Sequence, residues 1–132
     1  ITFLADRHGG LTFPAGSVQR AKQDAFLHRV NDEIDAVLWT AARHSFILPE
    51  KERVPAVKES LKLEFARSLD RLMEQIDGPY LMGDTMTIPD IVLAHCGGWA
   101  HNAKFPLENE AFKAYTKRLR ERDAFKRAAA LP

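Results

Sequence analysis

A single cysteine, Cys96, leaves this chain without an internal disulfide, so its stability must come from packed apolar surface, and a lone thiol suits a reducing compartment. No stretch approaches the ~20 apolar residues of a membrane span, and no basic-then-apolar leader opens the sequence. Neither sign of charge dominates. Lys and Arg number 19 against 18 Asp and Glu, a formal charge of +1, which removes the general attraction that nucleic acid or an anionic bilayer exploits. Alternating strand patterns are missing, as are internal repeats and low-complexity tracts. What remains is the balance of an ordinary globular protein, with 45% hydrophobic and 28% charged residues over 132 positions. One domain in the cytoplasm is expected, with no membrane and no nucleic-acid partner.

The apolar residues recur at helical steps. Residues 1–8 form an amphipathic turn and a half without an initiator methionine, as if cut from something longer, and the Gly- and Pro-rich residues 9–16 fit a linker. Ser17 stands where an N-cap belongs. Leu27, Val30, Ile34, Val37, Leu38 and Ala41 then mark one face of a helix over about 17–45. Pro49 and the charged run 50–53 form a loop, and Pro55 suits the first turn of the next helix. That helix carries Val57, Leu61, Phe65, Leu69, Leu72 and Ile76 on one face and is expected to stop at Gly78-Pro79. A third helix, 88 to about 102, has almost no charge and belongs at the centre. After Pro106 come two short helices or one bent one, built on Ala111, Phe112, Tyr115 and Leu119, then Phe125 and Ala129. The architecture is an all-α helical bundle of about five helices with a central buried helix.

The sharpest local signal is residues 80–91, Tyr-Leu-Met-Gly-Asp-Thr-Met-Thr-Ile-Pro-Asp-Ile. Thr87 is placed as N-cap, its hydroxyl able to accept from the Asp90 N–H, while the Asp90 carboxylate accepts from the Thr87 N–H. Met86 and Ile91 form the matching hydrophobic staple, and Gly83 supplies the positive φ of a tight approach turn. On a buried helix water cannot replace such a cap, so loss of either partner costs about 1–2 kcal/mol or more.

With Leu-x-Gly ahead of Thr-x-x-Asp on a charge-poor helix, this segment resembles the folding motif of the glutathione transferase C-terminal domain. The resemblance extends along the chain. Phe3 to Gly9 resembles the end of the last helix of the family's thioredoxin-like domain, Leu11 to Pro14 its interdomain linker, and Arg20-Ala21 with Phe26-Leu27 the start of its long fourth helix. Arg118 to Phe125 resembles the penultimate stretch, with Arg122-Asp123 where the family usually has Arg-Pro. Bacterial beta-class members carry a His-Lys pair where this chain has Asp35-Ala36. The implied organisation is a thioredoxin-domain remnant at 1–8, a linker at 9–16 and a helical C-terminal domain at 17–132.

The resemblance implies a parent enzyme, a cytoplasmic homodimer, that conjugates glutathione to hydrophobic electrophiles in a detoxification role. Its glutathione co-substrate and activating Tyr, Ser or Cys belong to the thioredoxin-like domain. This chain would supply the electrophile pocket and dimer contacts, hold no catalytic residue, cofactor or metal, and be inactive by itself. The alternative is a non-catalytic adaptor domain of the same fold.

The face of the first long helix opposite its core stripe carries His28, Asn31, Asp32, Asp35, Trp39 and Arg43, the substrate-binding candidates. A solvated or dimer-facing helix shows the same polar stripe; the aromatic Trp39 argues for a cleft. Asp32 lies near the position where several classes of the family direct an acidic residue toward glutathione. Cys96 reads as an inert core thiol, Trp99 as a core aromatic ahead of the alternative that it borders the pocket, and Gly97-Gly98 as a site of close helix approach or a kink.

Overall fold

The computed structural model describes residues 1–131; Pro132, the last residue of the expected helical domain, lies outside them. Helix α1, Thr2–His8, ends on Gly9 in the left-handed conformation. After the linker the Ser17 hydroxyl accepts from the Arg20 N–H at 3.1 Å and starts α2, Val18–Val30. A wide π turn, Asn31–Asp35, joins α2 to α3, Ala36–Ala42, and a second one, Arg43–Ile47, follows. In the first the Ala36 N–H reaches the Asn31 carbonyl, and in the second the Leu48 N–H reaches that of Arg43 at 3.0 Å. The backbone stays helical through both junctions, so residues 18–47 form one rod. The buried stripe is single-file at Val30 and Ile34 and doubles to Val37-Leu38 and Ala41-Ala42 above the first π turn.

Helix α4, Val57–Met73, packs on the rod through Leu61, Phe65, Leu69 and Leu72. It ends ahead of the expected Gly78-Pro79 stop, because the last turn tightens: Gln75 and Ile76 donate to the carbonyls three residues back. Helix α5, Ile88–Asn102, lies between the rod and α6, Glu110–Arg120; α7, Asp123–Ala129, closes the chain. Asn109 caps α6, accepting from the Phe112 N–H at 2.9 Å and donating to Asp70 on α4 at 2.7 Å.

The core gathers residues from the rod, α4, α5 and α6, with Phe65, Leu93, Phe112, Tyr115 and Leu119 all buried. Burial of each such side chain is worth roughly 1.5–3 kcal/mol. Gly97 is the contact point of α5 and α6. A Cβ there would meet Thr116 Cγ2 at 2.9 Å and the Phe112 ring at 3.0 Å, so the helices approach at a distance only glycine permits. No helix among the described residues is long and apolar enough to cross a membrane.

Candidate functional site

Asp90 organises the start of α5. Its carboxylate is buried and accepts four hydrogen bonds: Oδ2 from the Thr87 N–H at 2.7 Å and the Thr87 hydroxyl at 3.2 Å, Oδ1 from the Leu81 N–H at 2.8 Å and the Tyr115 hydroxyl at 2.6 Å. Thr87 and Asp90 thus stand in a capping box whose strong half is the carboxylate's, since the Asp90 N–H also lies 3.1 Å from the Thr87 carbonyl. Gly83 holds φ +73° in the approach turn. Burial, with the Asp90 carboxylate beside it, raises the Tyr115 phenol well above its usual range, so this hydroxyl stays a donor. Residues 25 apart in sequence are joined here, and nothing in the local pattern of α6 marks Tyr115 as their partner.

Further along α5 the two sides of the helix diverge. Toward the rod and α6, Leu93, Cys96, Gly97 and Ala100 are buried. The Cys96 thiol donates to Asp35 Oδ1 at 3.7 Å, and burial with that carboxylate beside it pushes the thiol up to about 12. A protonated, enclosed thiol is a poor nucleophile.

On the other side, Ile91, Ala94, His95, Gly98 and Trp99 line an open groove of about 890 Å³. Leu11 of the linker, Met86, Arg120 and Arg122, and Phe125 and Ala128 of α7 also line it. Trp99, expected in the core, is half-buried in this groove. The helix has the apolar circumference of a fully buried one, but the described residues cover this flank only in part. Met86 and Ile91, the two staple residues, are both half-buried and both line the groove. Gly98 has open space where a Cβ would be, unlike Gly97 beside it.

The six candidates on the rod lie elsewhere. His28, Asn31, Asp32 and Arg43 are exposed, Trp39 is 46% exposed, and Asp35 is half-buried against Cys96. None of them lines the groove. The two surfaces were not distinguishable in sequence: the rod's polar stripe is visible as a periodicity, whereas the groove is assembled from four separate segments.

The linker is fixed by side chains of α2. Gln23, 0% exposed, accepts from the Phe13 N–H at 3.0 Å and donates to the Thr12 hydroxyl at 3.1 Å. The Leu11 carbonyl accepts from the Ile88 N–H at 2.9 Å. Arg20 donates to Asp6, Asp24 and the Phe13 carbonyl, and these carboxylates raise its already high pKa. Arg20 is visible in sequence only as part of the fourth-helix resemblance, and Gln23 as a polar residue near the start of an amphipathic helix; neither pattern shows that they hold the linker.

No protein-family model matches the chain, and no curated protein does. Solved structures do. A glutathione transferase from Methylococcus capsulatus strain Bath superposes with a TM-score of 0.82 at 28% identity, covering 96% of this chain and 62% of that one. BphK, a bacterial glutathione transferase in a ternary complex, gives 0.83 at 22% identity over 98% of this chain and 65% of its own. The glutathione transferase URE2P6 from Phanerochaete chrysosporium, in complex with oxidized glutathione, gives 0.79 at 20% identity over 97% and 61%. The chain therefore spans less than two thirds of the length of these three structures. Nearly the whole chain thus superposes on part of each of these transferases, and its fold is that of a glutathione transferase C-terminal-like helical domain.

Proposed function

We propose that this chain is the helical half of a cytoplasmic glutathione transferase, and that it supplies the electrophile-facing wall and the dimer contacts while a thioredoxin-like domain supplies glutathione. The observation that carries the reading is the match of nearly the whole chain to glutathione transferases that are each about half as long again. The apolar groove beside α5 supports it, because a preceding domain would seat there next to Leu11 and exclude water from Trp99 and Ile91. Helix α1 supports it as well: Ile1, Phe3 and Leu4 are exposed, and only Ala5 is buried against this domain.

In this reading residues 1–8 are the end of the thioredoxin-like domain, 9–16 the linker and 17–132 the helical domain. Trp39 offers an aromatic face to a hydrophobic electrophile, and Asp32, Asp35, His28, Asn31 and Arg43 on the same rod are the further substrate-binding candidates. The rod and α4 pair with their counterparts about a two-fold axis. No activated thiol or thiol-activating donor belongs to this half, so the chain alone is inactive.

The test is calorimetric titration of glutathione into this chain and into a longer chain that carries the preceding domain. Binding by the longer chain alone is expected, together with conjugation of 1-chloro-2,4-dinitrobenzene that Trp39→Ala weakens. Binding by neither overturns the transferase reading in favour of the adaptor, a reading that the exposure of five of the six rod residues, all but half-buried Asp35, also accommodates.

A further inference from the structure

Helix α1 is attached to the helices after it in an unusual way. Its apolar residues Ile1, Phe3 and Leu4 face away, Phe3 being 68% exposed, so little hydrophobic burial holds it. Among the described residues, every side-chain hydrogen bond between α1 and the rest of the chain runs from Asp6 to Arg20. The Arg20 side chain is itself only 12% exposed. Its Nη1 donates to Asp6 Oδ1 at 2.6 Å and to the Phe13 carbonyl at 3.2 Å, its Nη2 to Asp6 Oδ2 at 3.2 Å, and its Nε to both oxygens of Asp24 at 2.9 and 3.0 Å. One guanidinium thus joins α1, the linker and α2.

The geometry suits no other cation. A lysine has a single point of charge and cannot meet Asp6 with a fork while also holding a carbonyl and a second carboxylate in the same plane. Gln23, one turn further along α2, takes the Phe13 N–H, so both backbone polar groups of Phe13 end on α2 side chains. Asp24 holds the guanidinium from its own helix and fixes the direction in which the fork points.

We infer that Arg20 is a positioning residue that sets the angle of α1, and of whatever structure α1 belongs to, against the helical domain. The inference rests on the transferase reading only for its consequence: α1 would carry the orientation of the glutathione-binding domain relative to the electrophile wall. The clamp itself belongs to the present chain. Arg20 lowers the pKa of the Asp6 carboxyl, chiefly through the hydrogen bond, so the clamp is complete above the ordinary carboxylate range and fails on acidification below it.

Amide hydrogen exchange on this chain tests the clamp directly. In Arg20→Gln the amides of residues 5–13 are expected to exchange about tenfold faster or more, while those of α4 and α5 keep their wild-type rates, because a charged fork is lost at one edge only. Arg20→Lys should resemble Arg20→Gln, which separates a fork from a charge. Asp6→Asn removes the partner on exposed α1, leaves the helical core untouched, and should give the same local loosening; in the double variant the two effects should not add. Wild-type exchange in residues 5–13 of all these variants overturns the inference, as does acceleration spread evenly over α4 and α5.

In the longer chain, Arg20→Gln should leave glutathione affinity unchanged and lower turnover of 1-chloro-2,4-dinitrobenzene about tenfold or more, since misplacement of one reactant against the other has that scale of effect. A fall in glutathione affinity with normal turnover would contradict positioning. Failure of the longer chain to bind glutathione at all would sink the transferase reading, and the exchange result would still decide the clamp.

Discussion

Helix α5 presents two sides of similar composition and opposite fate. Leu93, Cys96, Gly97 and Ala100 are sealed against the rod and α6, whereas Ile91, Gly98 and Trp99 border open space. Apolarity alone therefore does not say which surface folds this domain and which is left for something else. The difference lies in the polar partners. The sealed side is anchored by Asp90, with four donors on one carboxylate, and the open side has no comparable anchor among the described residues.

The largest test of that contrast is Asp90→Ala. It strands the Leu81 and Thr87 N–H groups and the Tyr115 hydroxyl in a buried site, at a cost of about 3–5 kcal/mol. Chemical denaturation should show that loss and calorimetry a fall in melting temperature on the order of 10 °C. An unchanged midpoint would remove the anchor from the account.

Alkaline titration comes next. Cys96 and Tyr115 both have their pKa raised in the folded chain, so their contribution is complete below their ordinary values and declines as pH rises toward the folded ones. For Cys96 that window runs from 9.0 to about 12, with a slope of roughly 1.4 kcal/mol per pH unit. Cys96→Ala should flatten the first part of the decline, followed by denaturant midpoints between pH 8 and 11. Equal slopes in both proteins would show that the thiol is not sealed.

The smallest effects make the sharpest comparison, because they come from adjacent residues. Gly97→Ala should destabilise by about 1–3 kcal/mol, since its Cβ collides with α6. Gly98→Ala meets nothing and should stabilise by roughly 0.5–1 kcal/mol through helix propensity alone. Thermal melts of the pair suffice, and two shifts of the same sign would erase the distinction between the sides.

Much of this was legible beforehand. The helical periodicities of the rod, α4 and α6 place core residues such as Val30, Phe65 and Leu119 correctly, because each element reports its own buried face. Asp90 and Thr87 could be paired because they lie within one turn of each other. Tyr115 could not, since its bond to Asp90 depends on how α6 docks. The contacts of Gln23 and Arg20 were hidden for a related reason: a buried amide and a three-way guanidinium look like solvated residues until the linker is folded onto them. Trp99 reads as a core aromatic on its spacing and does pack against the core, but the flank it shares with Ile91 is only partly covered, so it also lines the groove.

The two wide turns of the rod bear on how this chain tolerates change in length. Each closes its hydrogen bond one residue later than an α turn, at Ala36 and at Leu48, so each stores one residue that an ordinary helix would not accommodate. Removing one residue within 31–35 should therefore restore a plain α turn rather than break the rod. It would leave the segments on either side in the orientation they already have, since the deleted position is the one already out of step. The same deletion in the middle of α4, which has no such turn, would rotate everything beyond it by about 100° and turn Leu69 and Leu72 away from the core.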